Sequence, residues 1–330
     1  MKNVGVNGFG RIGRYFTRLA LLDSTVNITM VNDPADTKTL MHLLKYDSVH
    51  RTFQLGFTID GDEVTFENGK KIIFSHEKNP ELIAWGENNI EIVIESSGLF
   101  LSREASNKHL LAGAKKVVIS APAADADIPA IVLGVNDEVL ELNDSIISNA
   151  SCTTNNVAPM IAVMRSLFKI DYAYISTVHS YTSDQRLHDA PHKDLRRARA
   201  AANSIVPTST GAAKAVIKIF PEYKGKMTGG SVRVPVSDGS MTELTMFTEQ
   251  EITVEEVNAA MKKASETNLK GILGYTEDPI VSVDIIGSPL SCLFDSQLTV
   301  VLGKLVKISG WYDNEAGYSN RLIDLVKKMG

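Results

Sequence analysis

Cysteine is nearly absent: Cys152 and Cys292 are the two in 330 residues. Two thiols cannot build a disulfide framework or a multi-cysteine metal site, and free thiols suit a reducing, cytosolic setting. An excess of basic charge is missing as well. A formal charge of −5 and a pI near 5.8 argue against a general nucleic-acid binder, which wants a net basic surface. No run approaches the roughly 18–20 apolar residues of a membrane span, so no membrane partner is expected. Met1-Lys2-Asn3-Val4-Gly5-Val6 passes straight into a strand pattern, which leaves no room for a signal peptide. Low-complexity tracts are lacking too. At 44% hydrophobic and 22% charged residues, the chain is an ordinary globular composition, long enough for one large domain or two smaller ones.

What is present begins with glycine. Val4-Gly5-Val6-Asn7 leads into Gly8-Phe9-Gly10-Arg11-Ile12-Gly13, and from Arg14 to Leu22 apolar residues recur at helical spacing. Gly8 suits the tight turn, Gly10 lets backbone approach a pyrophosphate, and Gly13 lets helix and strand pack closely. The pyrophosphate would sit against free N–H groups at the helix start. A second strand pattern, Asn27–Asn32, ends at Asp33, whose carboxylate would accept bonds from a ribose and repel a 2′-phosphate. Asp33 before Pro34 also suits a plain turn, but strand, glycines, helix, strand and acid together favour a Rossmann-type dinucleotide unit. Two further strand patterns, Ile90–Glu95 and Lys116–Ile119, end in Ser96-Ser97-Gly98 and Ser120-Ala121-Pro122. Small residues there leave space for a cofactor at the carboxyl edge of a parallel sheet, or simply leave a turn. Phe57–Phe66 reads as a hairpin around an Asp-Gly turn, and Lys71–Ser75 continues it as a small antiparallel excursion.

The texture changes after Asp144–Asn149, a strand pattern that runs into Ala150-Ser151-Cys152-Thr153-Thr154-Asn155-Asn156 and a helical run from Val157. An arbitrary cysteine is usually a small buried hydrophobe. Cys152 instead sits among hydroxyls at a helix entrance. Tyr172–Val178 alternates as a strand and delivers His179 to a polar stretch reaching Gly211, too long for an ordinary connection. Within it, Lys193 and Arg199 read as a solvated face. Thr208-Ser209-Thr210-Gly211 opens a helical run from Ala212, a pattern that suits an N-cap or a phosphate. Strand patterns at Ser231–Val236 and Met241–Phe247, the run Lys304–Tyr312 and an amphipathic helix over Tyr318–Met329 complete an α+β half with a mixed or mostly antiparallel sheet.

Ser151-Cys152-Thr153-Thr154-Asn155 resembles the active-site signature of the phosphorylating class of glyceraldehyde-3-phosphate dehydrogenases, in its bacterial form. The resemblance spans essentially the whole chain. It includes Asn7–Arg14, Lys45–His50, His192–Arg199, Thr208–Ala215 and Trp311–Glu315. It implies an α/β architecture: an NAD-binding domain over 1–150, joined by the C-terminal helix 315–330, and a catalytic domain over 151–314. It implies Cys152 as nucleophile and His179 as base, with a thiolate favoured by the helix N-terminus and a nearby imidazolium. Glyceraldehyde 3-phosphate and inorganic phosphate would be the partners. Thr182, Asp184, Arg197 and Arg233 would hold the substrate phosphate, and Ser151, Thr153, Thr210 and Gly211 the incoming one. The same matching assigns NAD to Gly8, Gly10, Arg11, Ile12, Gly13, Asp33, Lys78, Ser97, Gly98 and Ser120. It places Asn314 at the nicotinamide amide and Tyr318 beside the ring. A homotetramer is implied by the family and the long loop.

Plainer roles exist for several of these residues. His179 also reads as an ordinary packed histidine, Arg233 as paired with an acid across a sheet, and Lys78 as a solvated lysine. Cys292, Trp311 and Tyr312 read as packing. Departures from the family pattern are Asn156 in place of a second cysteine, Ala316 in place of a bulky residue, Arg51 in place of glycine, and Ala190-Pro191 in place of Leu-Pro. Small residues near 190 accompany tolerance of NADP, whereas Asp33 opposes it, so NAD is expected. The nearest rival is erythrose-4-phosphate dehydrogenase, with water as acyl acceptor; the intact Thr208–Ala213 segment stands against it. A catalytically idle dinucleotide- or RNA-binding protein is the other, opposed by the acidic charge and the complete thiol, histidine and phosphate set.

Overall fold

The computed structural model describes residues 2–329. The chain divides into two units, Met1–Ile131 with Asp137–Ala150 and Ser319–Gly330, and Val132–Asn136 with Ser151–Tyr318.

In the first unit β1 (Lys2–Asn7), α1 (Arg11–Leu22), β2 (Val26–Asn32) and α2 (Thr37–Lys45) are followed by β3 (Phe57–Asp60), β4 (Glu63–Phe66) and β5 (Lys71–Ser75). Then come β6 (Ile92–Glu95), α3 (Arg103–Leu111), β7 (Lys116–Ile119) and β8 (Ile146–Ser148). The sheet order is β3-β4-β5-β2-β1-β6-β7-β8, parallel from β5 to β8. Val4, Val6, Val93, Ile94, Val117, Val118 and Ile119 are all fully buried. Strands covered on both faces need apolar side chains on both, which is why these segments read as continuous hydrophobic runs. The Phe57–Phe66 hairpin is present. Lys71–Ser75 pairs antiparallel with β4 but also parallel with β2, so it belongs to the main sheet rather than to a separate excursion. Helix α1 starts at Arg11, ahead of the apolar repeat, and Lys70 Nζ seals its far end on the carbonyls of Ala20 and Asp23, both at 2.6 Å. Arg51 has φ +63°, in the left-handed region that favours glycine.

The second unit begins with α4 (Cys152–Leu167), β9 (Ile170–Ser180), β10 (Val206–Thr208), α5 (Ala212–Ile219), β11 (Met227–Val234) and β12 (Ser240–Thr248). It continues with α6 (Val254–Glu266), β13 (Leu273–Thr276), β14 (Cys292–Asp295), β15 (Val300–Leu302) and β16 (Leu305–Tyr312). The last helix, α7 (Ala316–Lys328), starts two residues before Tyr318, and from Ser319 onward it belongs to the first unit. The sheet order is β10-β11-β9-β12-β16-β14-β13, with β15 beside β16. It is mixed: β9, β12 and β16 run antiparallel, while β11 lies parallel to β9 and β13 to β14. Helix α4 packs on one face, over the buried Ile175, Leu244, Met246 and Ile308. Strand β11 starts four residues before Ser231, running through Gly229 and Gly230. A Cβ on Gly229 would lie 2.5 Å from the Ile175 carbonyl, so close approach to β9 demands the glycine that hides the strand from a propensity reading.

Candidate active site

The first unit tests each fingerprint glycine separately. Gly8 has φ +90°, and a Cβ there would lie 2.4 Å from the backbone N of Ser97. A Cβ on Gly13 would lie 2.2 Å from the Gly8 carbonyl. Those two glycines serve packing of the protein on itself. A Cβ on Gly10 would meet nothing within 4 Å among the described residues, which leaves its backbone open to a ligand. Arg11 and Ile12 lie in the first turn of α1, whose N–H groups suit an anion. The Arg11 guanidinium itself forms a two-pronged pair with Asp47, at 2.5 and 3.1 Å. At the end of β2, Asp33 accepts the N–H of Phe9 at 2.8 Å and that of Ala35 at 3.0 Å, which fixes its carboxylate. Ser97 and Gly98 follow β6 and Ser120 follows β7, at the carboxyl edge of the sheet; Lys78 stands exposed after β5. Open backbone, first-turn N–H groups and a fixed acid fit a dinucleotide.

In the second unit, Ser151 Oγ accepts the N–H of Thr154 at 3.0 Å and so caps α4, making Cys152 the first residue of the helix. Strand β9 brings His179 alongside, with Nε2 at 3.5 Å from Cys152 Sγ. His179 Nδ1 lies 2.7 Å from the Ser180 carbonyl. A carbonyl only accepts, so Nδ1 carries the hydrogen and Nε2 faces the thiol bare. Burial, and then the charge of Arg233, push the imidazole down to about 3. Burial pushes the thiol up to about 11, against the pull of Arg233 and bonds from Thr153. Cys152 keeps partial solvent access, and water offsets some of that push. Desolvation thus penalises both the thiolate and the imidazolium that the resemblance implies, while the helix N-terminus and the charge of Arg233 favour the thiolate.

Arg233 sits on β11 in register with His179 on β9. Its Nη1 donates to Thr182 Oγ1 at 2.6 Å and to the Ser180 carbonyl at 3.2 Å, not to an acid across the sheet. Its Nε is buried with no partner among the described residues. Asp184 accepts from both Thr182 and Arg197, and Arg197 reaches the Ser209 carbonyl at 3.5 Å. Thr182, Asp184, Arg197 and Arg233 thus form one connected group next to His179. Of the residues assigned to the incoming phosphate, Thr210 Oγ1 accepts the N–H of Ala212 at 3.1 Å, and Gly211 caps α5 with open space where a Cβ would be. Ser151 is occupied with its cap, and Thr153 Oγ1 bonds Tyr312 Oη at 2.9 Å.

Sequence gave no warning of three contributors. Tyr312, which reads as core, presents its hydroxyl to Thr153 and its ring to His179, edge-on at 6.0 Å. Ser180 sets the histidine tautomer through its carbonyl. With Ser240, its hydroxyl also donates to Asn314 Oδ1, at 2.9 and 2.8 Å. Both bonds pin the amide oxygen of Asn314, leaving Nδ2 as the donating end. Tyr318 is buried in α7, and Ala316 and Cys292 are sealed from solvent. Asn156 donates to the carbonyls of Ser291, Gly310 and Trp311 at 3.3–3.4 Å, a bracing role that a thiol would not fill.

A thiol with a bare ring nitrogen at its side suits nucleophilic chemistry, and a dinucleotide-binding fold in the same chain suits an oxidoreductase. Residues 2–103 match the model described as glyceraldehyde 3-phosphate dehydrogenase, NAD binding domain, and residues 151–314 match its C-terminal domain. Glyceraldehyde-3-phosphate dehydrogenase 2 of Streptomyces avermitilis is 54% identical over 99% of this chain and 98% of its own. The Geobacillus stearothermophilus enzyme is 53% identical over 98% and 96%, and glyceraldehyde-3-phosphate dehydrogenase 1 of Bacillus subtilis 52% over the same shares. The chain belongs to the glyceraldehyde-3-phosphate dehydrogenase family.

Proposed function

We propose that the chain oxidises D-glyceraldehyde 3-phosphate with NAD and inorganic phosphate, yielding 1,3-bisphosphoglycerate and NADH. The bare Nε2 of His179 facing Cys152 Sγ carries this reading. As sulfur attacks the aldehyde carbon, the thiol proton passes to Nε2 and on to the carbonyl oxygen, giving a hemithioacetal and restoring the base. Loss of hydride from that carbon, with the hydroxyl proton returning to Nε2, gives the thioester. NAD, when bound, supplies the hydride acceptor. Phosphate then attacks the thioester carbon and the C–S bond breaks. One of the two protons now held by His179 and the phosphate returns to sulfur, and the other leaves to solvent.

Arg233 and Arg197, with Thr182 and Asp184, would take the substrate phosphate; the unanswered Nε of Arg233 supports this. Ser151, Thr153, Thr210 and Gly211 would take the incoming one, with the open cap of α5 as its strongest feature. Asn314 Nδ2 would donate to the nicotinamide carboxamide, and Asp33 would accept from the adenosine ribose. Lys78, Ser97, Gly98 and Ser120 would line the adenosine side, with Tyr318 at the ring. Tyr172, Tyr174 and Phe247, 63%, 48% and 52% exposed on the sheet face that α4 leaves uncovered, support assembly into a homotetramer. A cytoplasmic setting is part of this reading; no helix among the described residues is long and apolar enough to cross a membrane.

NADH formation from glyceraldehyde 3-phosphate, with and without phosphate and again with NADP, tests the reading. Sustained turnover requiring both phosphate and NAD is expected. Turnover indifferent to phosphate would overturn the acyl-phosphate step, and equal use of NADP would overturn the role of Asp33.

A further inference from the structure

The first unit contains a buried carboxylate that the chemistry above does not use. Glu95, at the end of β6, is 1% exposed, and each of its oxygens faces a different direction of the fold. Oε2 accepts from Asn7 Nδ2 at 2.6 Å and from His109 Nε2 at 3.0 Å. Oε1 accepts from the Ser97 backbone N–H at 2.8 Å and from Ser97 Oγ at 2.5 Å. The inner oxygen is itself anchored. Trp85 Nε1 donates to His109 Nδ1 at 3.1 Å, so His109 carries its hydrogen on Nε2, towards Glu95. Asn7 Oδ1 accepts from Asn32 Nδ2 at 2.8 Å, and Asn32 Oδ1 accepts from Ser75 Oγ at 2.8 Å. Ser75, Asn32, Asn7 and Glu95 end β5, β2, β1 and β6, which are neighbours in that order in the sheet. One line of side-chain hydrogen bonds therefore ties the carboxyl ends of four adjacent strands and finishes on Ser97. Gly8, whose missing Cβ admits the Ser97 backbone, leaves from the same place.

We propose that Glu95 is a positioning residue for the dinucleotide: anchored by His109 and Asn7, it presets the Ser97–Gly98 loop in the conformation that NAD requires. The proposal rests on the cofactor reading given above. Its physical content is preorganisation. A loop whose first serine is held by two charge-assisted bonds loses less freedom on binding than one that must be ordered by the ligand. Glutamine cannot replace the carboxylate. Its NH₂ group would confront either the N–H donors of His109 and Asn7 or the backbone N–H of Ser97.

The experiment compares wild type, Glu95→Gln, Ser97→Ala, His109→Gln and their pairwise combinations in the full chain, by NAD titration and steady-state kinetics. Glu95→Gln is expected to raise both the Kd and the KM for NAD about tenfold. At saturating NAD, kcat should stay within about twofold, and the KM for aldehyde and for phosphate should hold. Ser97→Ala should add less in the Glu95→Gln background than it does alone, because both changes break one connection. Unchanged NAD affinity in Glu95→Gln, equal loss of kcat and of affinity for every substrate, or strict additivity would overturn the proposal. Should Glu95→Gln fail to fold, the decision passes to His109→Gln and Ser97→Ala. A shared, non-additive loss of NAD affinity is then the expected result, and additivity the overturning one. Wild type that binds no NAD would instead overturn the cofactor reading, and this proposal with it.

Discussion

Two buried histidines, one in each unit, show how the same side chain is set to opposite tasks. His109 is fully buried and His179 nearly so, and each has both ring nitrogens engaged. Around His109 an indole N–H donates to Nδ1, so Nε2 keeps its hydrogen and spends it on Glu95. Around His179 a carbonyl accepts from Nδ1, so Nε2 is bare and points at a thiol. Swapping an N–H for a C=O at one ring nitrogen turns a donor that holds a carboxylate into an acceptor that can take a proton. The two cysteines differ in parallel. Cys152 has partial solvent access, His179 and the charge of Arg233 nearby; Cys292 is sealed, and burial alone pushes its thiol up. Burial by itself favours an inert thiol; in the proposed chemistry a neighbouring acceptor and cation are what would make Cys152 reactive.

The sharpest way to break the comparison is to exchange sulfur for oxygen at both cysteines. Cys152→Ser should abolish NADH formation, by ~10⁴-fold or more, because a serine hydroxyl is a far weaker nucleophile beside a neutral imidazole. Cys292→Ser should keep the rate and lower stability by about 1–3 kcal/mol, the cost of burying an unanswered hydroxyl, read from urea midpoints. Comparable loss of activity in both would erase the distinction.

Next in size are the histidines. His179→Asn should lower kcat by roughly 10²–10⁴-fold, the range for losing a general base, and flatten the acid limb of the rate profile. His109→Gln should act mainly on the KM for NAD and leave the shape of that profile intact. The smallest effect is on stability against pH. Above the ordinary histidine value of 6.5, folded and unfolded chains both hold His179 neutral, so its contribution is complete. As pH falls from 6.5 towards about 3, the unfolded chain binds a proton that the folded one refuses, and stability is lost. At pH 5 this amounts to about 2 kcal/mol from the one group, and His179→Asn should lose correspondingly less between pH 7 and 5.

Legibility followed the chemistry of each surface. The inner strands β1, β6 and β7 declare themselves because burial on both faces leaves mostly apolar residues ahead of their carboxyl ends. Helix α3 does not, since the residues it buries are Ser106 and His109 rather than a hydrophobic stripe. Its histidine, and with it the Glu95 network, passes unnoticed in a periodicity reading. Strand β11 loses its first half to glycines that close contact with β9 requires. At the site, Cys152 at a helix entrance and His179 near the end of a strand stand out locally. Tyr312 reads as core and is core, yet its hydroxyl serves Thr153; Ser240 carries no local signal of any kind. Arg233 within a strand suggests a cross-strand acid, and the structure gives it Thr182 and a carbonyl instead.

By itself the sequence determined the class of each half: glycine spacing, an acid after the second strand, and hydroxyls around a lone thiol at a helix start are local patterns, read within a few residues. Only the tertiary structure decided protonation and direction. Which nitrogen of His179 is bare, which end of Asn314 donates, and whether Cys152 rests as thiol or thiolate depend on partners that are distant in sequence and on exclusion of water. Hydrogen-bond polarity and desolvation belong to the assembled environment, and no single segment of the chain contains them.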